Sequence, residues 1–121
     1  MKPKILLADD HEIVRTGIKA HLDGQWEVCA EADNGQQAVE KALALQPDLI
    51  LMDISMPVLN GIEAIRQIRQ LKIPTKVIIL TMHDSEEVMK RGRQIGADAC
   101  LTKTCGAAQL LETIATVLRG H

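Results

Sequence analysis

Five polar residues stand directly behind short apolar runs. Asp9 and Asp10 follow KILLA at 4–8, Asp53 follows DLILM at 48–52, Thr81 follows KVIIL at 76–80, and Lys103 follows DACLT at 98–102. A single aspartate after a strand is usually a turn residue or a helix cap. Four strand ends that would deliver polar groups to one rim argue for chemistry instead. Three clustered carboxylates repel one another, so they must protonate or share a cation. Oxygen donors without Cys or His ligands select a hard ion. Mg2+ (or Mn2+) takes one or two carboxylates, keeps several waters and accepts phosphate oxygens. His11 adjoins the acidic pair and reads better as a helix-start residue than as a ligand. A lysine on the same rim offsets the negative charge and binds an anion. A threonine supplies a hydroxyl donor. Together these groups suit phosphoryl transfer to an aspartate.

The elements that must position them alternate along the chain. Residues 12–22 place Val14, Gly17, Ile18 and Leu22 at helical spacing, and 26–32 alternate as a half-buried strand would. Asp33 or Asn34 caps a helix with Ala38, Ala42 and Leu45 on one face, which Pro47 stops. After the loop 54–60, Asn60 and Glu63 form a capping-box pattern for a helix with Ile62, Ile65, Ile68 and Leu71 inward. Asp84 or Ser85 caps a helix over 85–95 with Val88 and Ile95 facing in, and Gly96 suits the position just past its end. The last helix, 106–119, carries Leu110, Leu111, Ile114, Val117 and Leu118 as a stripe. Five strand–helix units demand a parallel sheet with right-handed crossovers and helices on both faces. The expected fold is therefore α/β, a doubly wound (βα)5 flavodoxin-like sandwich with strand order 2-1-3-4-5. In such a sheet, ligands bind beyond the carboxyl ends of the strands, at the switch point between strands one and three. A solenoid is the weaker reading, since the units share a layout but no sequence signature.

Composition excludes several classes. The 121 residues and 13.3 kDa suit a single domain over 1–121. With 46% apolar and 25% charged residues, the chain is neither disordered nor a membrane protein in pattern. A net charge of −2 leaves no electrostatic footprint for nucleic acid, and Arg66, Arg69, Lys72, Lys90, Arg91 and Arg93 read as solvated helix faces. Cys29, Cys100 and Cys105 lack metal-ligand spacing and read as small apolar residues. The chain has no Tyr or Phe and only Trp26, so its core must be aliphatic. A cytoplasmic location is expected, without membrane partners and without direct DNA binding by this segment.

LLADDH at 6–11, LILMDISMPVLNG at 49–61, ILTMHD at 79–84 and CLTK at 100–103 resemble the response-regulator receiver domain of two-component systems. ADDHEIVRTG at 8–17 resembles the NarL/FixJ (LuxR-type) transcriptional regulators within it. The resemblance implies that Asp53 accepts a phosphoryl group from a phosphohistidine of a sensor histidine kinase. It implies that Asp9, Asp10, Asp53 and the backbone carbonyl of Ser55 hold the Mg2+, that Lys103 pairs with the phosphoryl group, and that Thr81 hydrogen-bonds it. Ser55 and His83 sit where the family tunes phosphoryl loss, and Pro57 and Gly61 shape the loop after the acceptor. Homodimerisation on activation belongs to the same set of expectations.

Two positions depart from the family pattern. Cys100 stands where an aromatic ring usually reports the movement of the threonine, and a thiol cannot replace a ring. Thr104 follows the lysine in place of the usual proline; a trans bond is expected, since a cis non-proline bond costs about 3 kcal/mol. The chain is read as a switch rather than an enzyme. A small Mg2+-dependent phosphatase would want a D-x-D pattern after the first strand, and a flavin carrier would want a Ser/Thr/Gly-rich loop there. NarL/FixJ-type regulators act through a C-terminal helix-turn-helix domain, which 1–121 does not contain. The segment is either a receiver from such a regulator or a stand-alone phosphorelay protein acting by protein contact.

Overall fold

The computed structural model describes residues 2–22, 24–82 and 86–120. Five strands, β1 (Lys4–Ala8), β2 (Glu27–Ala32), β3 (Leu49–Asp53), β4 (Lys76–Thr81) and β5 (Ala99–Thr102), alternate with five helices. These are α1 (Glu12–Leu22), α2 (Gly35–Leu45), α3 (Gly61–Gln70), α4 (Glu86–Gln94) and α5 (Ala107–Leu118). All pairings are parallel and the order is β2-β1-β3-β4-β5, as the alternation predicts. The described part of helix α4 begins at Glu86, and Asp84 and Ser85, the two expected caps, lie outside the described residues.

The period-two geometry of the strands divides the core into two layers. Leu6, Ala8, Ile50, Met52, Val77 and Ile79 face α2 and α3; Ile5, Leu7, Leu49, Leu51, Ile78 and Leu80 face α1 and α5. Strand β3 is buried at every position because both layers cover it. The core is aliphatic, with Trp26 only packed at the edge of the α1/α5 layer.

The caps follow the sequence in part. Asn34 accepts from the Gln37 amide at 2.8 Å, and Asn60 accepts from the Glu63 amide at 2.9 Å. The capping box is half made, because the Glu63 carboxylate pairs with Arg66 at 2.9 Å instead. Gly96 ends α4 with φ of +109°, as expected for the residue past a helix. Two expected core positions fail: Leu45 and Leu71 are 45% and 50% exposed. Leu45 closes the last turn of α2, and Leu71 is the cap residue after α3, where the chain has already turned away from the sheet. Spacing along an ideal helix does not know where the helix leaves the core.

Two glycines divide cleanly by surroundings. A Cβ on Gly61 would lie 2.2 Å from the Asp53 carbonyl oxygen and 2.9 Å from Ile54 Cα, both backbone atoms that cannot step aside. Helix α3 can thus begin directly against the end of β3. A Cβ on Gly17 would meet nothing within 4 Å. In urea denaturation, Gly61→Ala is expected to destabilise the chain by about 2 kcal/mol or more. Gly17→Ala is expected to stabilise it by roughly 0.5–1 kcal/mol through helix propensity.

Candidate functional site

Strand register sets the site. Ala8 pairs with Met52 between β1 and β3, so the next residues, Asp9 and Asp53, stand side by side at the rim. Asp53 pairs with Leu80, which puts Thr81 one step further along β4. Thr81 pairs with Thr102, and the Lys103 amide donates to the Thr81 carbonyl at 2.8 Å, tying the ends of β4 and β5 together. Asp9, Asp53 and Lys103 continue the parity of the α1/α5 layer, whereas Thr81 continues that of the other face.

The side chains then converge as the parity requires. Lys103 Nζ lies 2.7 Å from Asp9 Oδ2 and 3.2 Å from Asp53 Oδ2, with all three side chains under a tenth exposed. One ammonium bridges two buried carboxylates. Asp9, Asp10, His11 and Asp53 each present a ligand atom within 4.8 Å of one another. His11 precedes α1, as expected, and its amide donates to Asp9 Oδ1 at 2.9 Å. Its ring also touches both acids, with Nδ1 3.2 Å from Asp9 Oδ1 and 3.0 Å from Asp10 Oδ1. The ring itself is largely exposed.

The Lys103–Asp9 approach is a buried ion pair at 2.7 Å. Buried Asp9 Oδ2 and Asp10 Oδ1 have, among the described residues, no polar partner beyond Lys103 Nζ at 2.7 Å and the His11 ring at 3.0 Å respectively. Such oxygens are costly to bury unless another positive group satisfies them. A donor set of carboxylate oxygens with unfilled acceptor capacity fits a hard divalent cation. Asp9, Asp10, Asp53 and the Ser55 carbonyl remain the residues that would hold it; the Ser55 amide meanwhile donates to Asp53 Oδ1 at 3.3 Å.

Burial, and after it the charge of Asp9, pushes the Asp53 carboxyl above the ordinary carboxylate range against the pull of Lys103 and the Ser55 amide. For Lys103, burial draws the ammonium down, but the Asp9 contact and the charges of Asp53 and Asp9 outweigh it, so its pKa rises. Thr81 is 2% exposed at the end of β4. His83 lies outside the described residues.

The loop after Asp53 is pinned at both ends. The Gly61 amide donates to the Ile54 carbonyl at 2.9 Å, and the Gly35 amide donates to the Leu59 carbonyl at 2.8 Å. Between them, Val58 adopts φ of +68° while the Leu59 amide bonds the Pro57 carbonyl at 2.7 Å. This is a γ-turn of the strained hand, centred on a β-branched residue. Pro57 and Gly61 do flank the turn, and Gly61 is the member that lets α3 abut it.

Cys100 is partly buried against the α2/α3 layer, and burial raises its thiol pKa. That is the setting of a space-filling residue. The Lys103–Thr104 bond is trans, as expected. Sequence reasoning found no useful group on the second strand, and here it missed two residues. Glu31, near the end of β2, accepts from Arg15 Nε at 2.8 Å, and Arg15 Nη1 in turn donates to the Asp9 carbonyl. Their separation of 16 positions hides the pair from any local pattern.

An open parallel sheet gathering these acids and a lysine beyond its central strands defines the receiver class of α/β domains. The chain belongs to the response regulator receiver domain family, whose model matches residues 5–115. It is 40% identical over 120 residues to the transcriptional regulatory protein YdfI of Bacillus subtilis, covering 98% of this chain and 56% of that protein. It is 36% identical over 118 residues to the chemotaxis protein CheY of Halobacterium salinarum, covering 98% of both. A two-component response regulator of the LuxR family from Aurantimonas superposes with a TM-score of 0.94 at 32% identity, over 100% of this chain and 88% of that one. The chain spans about half the length of relatives such as YdfI. Among the described residues no helix is long and apolar enough to cross a membrane.

A carboxyl whose folded pKa lies above its unfolded value holds its proton more tightly in the folded chain. Its contribution favours folding at low pH and is lost as pH rises through the folded pKa. In metal-free buffer, Asp53→Asn should therefore melt above the wild type at neutral pH. The gap should close as pH falls through the raised Asp53 pKa, where the carboxyl takes up its proton. Paired melting curves across that range check this.

Proposed function

We propose that the chain is a phosphorylation-controlled switch of a two-component phosphorelay, with Asp53 as the phosphoacceptor. The observation that carries this reading is the Asp53 carboxylate, held at the end of the central strand and bridged to Asp9 by a buried lysine. Asp53 supplies the nucleophilic oxygen, which forms the new bond to phosphorus as the bond to the imidazole nitrogen of a kinase phosphohistidine breaks. Lys103 is already placed to accept the added negative charge, because its ammonium touches Asp53. Thr81 offers a hydroxyl at the neighbouring strand end. A divalent cation, Mg2+ or Mn2+, held by Asp9, Asp10, Asp53 and the Ser55 carbonyl, supplies the charge that three acids and an incoming phosphoryl group need.

The partners are a sensor histidine kinase and an output. Ile13, 88% exposed, stands on a groove of 240 Å3 lined by Val14, Gly17, Leu80, Cys105, Leu110 and Lys103, beside the acid cluster. That is an apolar face next to the acceptor, of the kind a helical partner covers. The greater length of YdfI and its name as a transcriptional regulatory protein support an output through a further domain, and we add homodimerisation on activation to this reading. The full-length match to CheY supports action by protein contact alone as the second reading. On either reading we take the chain to act in the cytoplasm, as a switch rather than a turnover enzyme.

Incubation with acetyl phosphate and Mg2+ should add one phosphoryl group to the wild type by intact mass. Asp53→Ala should abolish the addition while circular dichroism stays native. Labelling of the variant at the wild-type rate would show that the acceptor is another residue. Steady turnover of a chromogenic phosphate ester would favour the phosphatase reading instead.

A further inference from the structure

Glu31 collects three cations at the end of β2. Its carboxylate accepts from Arg15 Nε and from Lys19 Nζ, each at 2.8 Å, and its backbone carbonyl accepts from Lys41. Lys19, against the opposing effect of burial and with Arg15 adding to it, holds this carboxyl below the ordinary carboxylate range. Only one of the three cations goes on to touch the acidic turn. The Arg15 side chain, 15% exposed, uses Nε for Glu31 and Nη1 for the carbonyl of Asp9. A guanidinium offers donors in a fixed planar fork, so fixing one nitrogen aims the others. The Asp9 amide is itself tied to β2, donating to the Ala32 carbonyl at 2.9 Å. Both backbone polar groups of Asp9 are thus held from the β2 side, while its carboxylate faces Asp53 and Lys103.

We infer that Arg15, oriented by Glu31, is the positioning residue that holds the Asp9–Asp10 turn in the geometry a divalent cation requires. The inference rests on the proposed metal-assisted phosphoacceptor role and adds to it a residue outside the acid cluster. The turn needs such a brace because mutual repulsion among Asp9, Asp10 and Asp53 pushes it outward. Arg15 counters that by gripping the backbone carbonyl of Asp9, so it takes up no oxygen of either carboxylate. Glu31 compensates the Arg15 charge, so the brace does not place an uncompensated cation behind a cation site.

The sign of the effect separates positioning from charge. Deleting a positive group near a divalent cation would, by electrostatics alone, tighten cation binding. Loss of a brace weakens it, and substitution of residues that orient metal ligands typically costs about 10–100-fold in affinity. Mg2+ affinity is measured by calorimetric titration of the metal-free chain, beside its melting temperature and its labelling by acetyl phosphate. Arg15→Met is expected to bind Mg2+ roughly tenfold more weakly, and Arg15→Lys is expected not to restore it, since one ammonium cannot serve both partners. Lys19→Met, which removes a Glu31 partner of the same charge but no contact to Asp9, is expected to keep wild-type affinity. Unchanged or tighter binding in Arg15→Met, or an equal loss in Lys19→Met, overturns the inference. If Arg15→Met does not fold, Glu31→Gln reads the same brace through its other end, with weaker binding expected and unchanged binding overturning it. A wild type that binds no Mg2+ and takes no label would instead bring down the phosphoacceptor reading itself.

Discussion

Three carboxylates share one rim of this molecule with a single buried ammonium among them, and much of the structure serves to keep them there. Two unit charges about 4 Å apart interact by about 4 kcal/mol at an effective dielectric near 20. Lys103 offsets part of that repulsion by touching Asp9 and Asp53 together, but it forms no ion pair with Asp10. A site assembled this way is unfavourable by itself. It persists because the strands that carry it are fixed by burial elsewhere, in two dry aliphatic layers that cover β3 completely.

The lysine's role depends on the sheet as a whole. Lys103 leaves β5, while its partners leave β1 and β3, so its ammonium spans the end of β4 to reach them. The bond from its amide to the Thr81 carbonyl fixes where that reach begins. Anything that moves the ends of β4 and β5 therefore moves the counter-charge. Helix α4 packs beside them through a bare glycine: a Cβ on Gly92 would sit 2.4 Å from Ile79 Cδ1. Cys100, partly buried, packs on the same layer as Ile79.

Much of this was readable from residue order because the informative features are local. An apolar run of five residues ending in a polar one specifies a buried strand and its exit, and the alternation with helices dictates parallel pairing. Asp9, Asp10, Asp53 and Lys103 came together because parallel register places all strand exits on one rim. Leu45 and Leu71 stay exposed because Leu45 is the last residue of α2 and Leu71 the cap just past α3, where the chain leaves the core. Glu63 was assigned to a cap and instead pairs with Arg66 one turn along. Arg15 and Glu31 could not be read at all. Each alone looks like a solvated charge, and their contact exists only once α1 is laid against β2.

The fold holds Asp9, Asp10 and Asp53 together against their mutual repulsion, and on the proposed function a divalent cation relieves it. The most direct measurement of this is the melting temperature of Asp10→Asn beside the wild type, with and without Mg2+. Removing one of the three charges should raise the metal-free melting temperature above that of the wild type. The same substitution should shrink the further rise that Mg2+ produces. A variant that melts no higher without metal, and gains as much from Mg2+ as the wild type, would contradict the account.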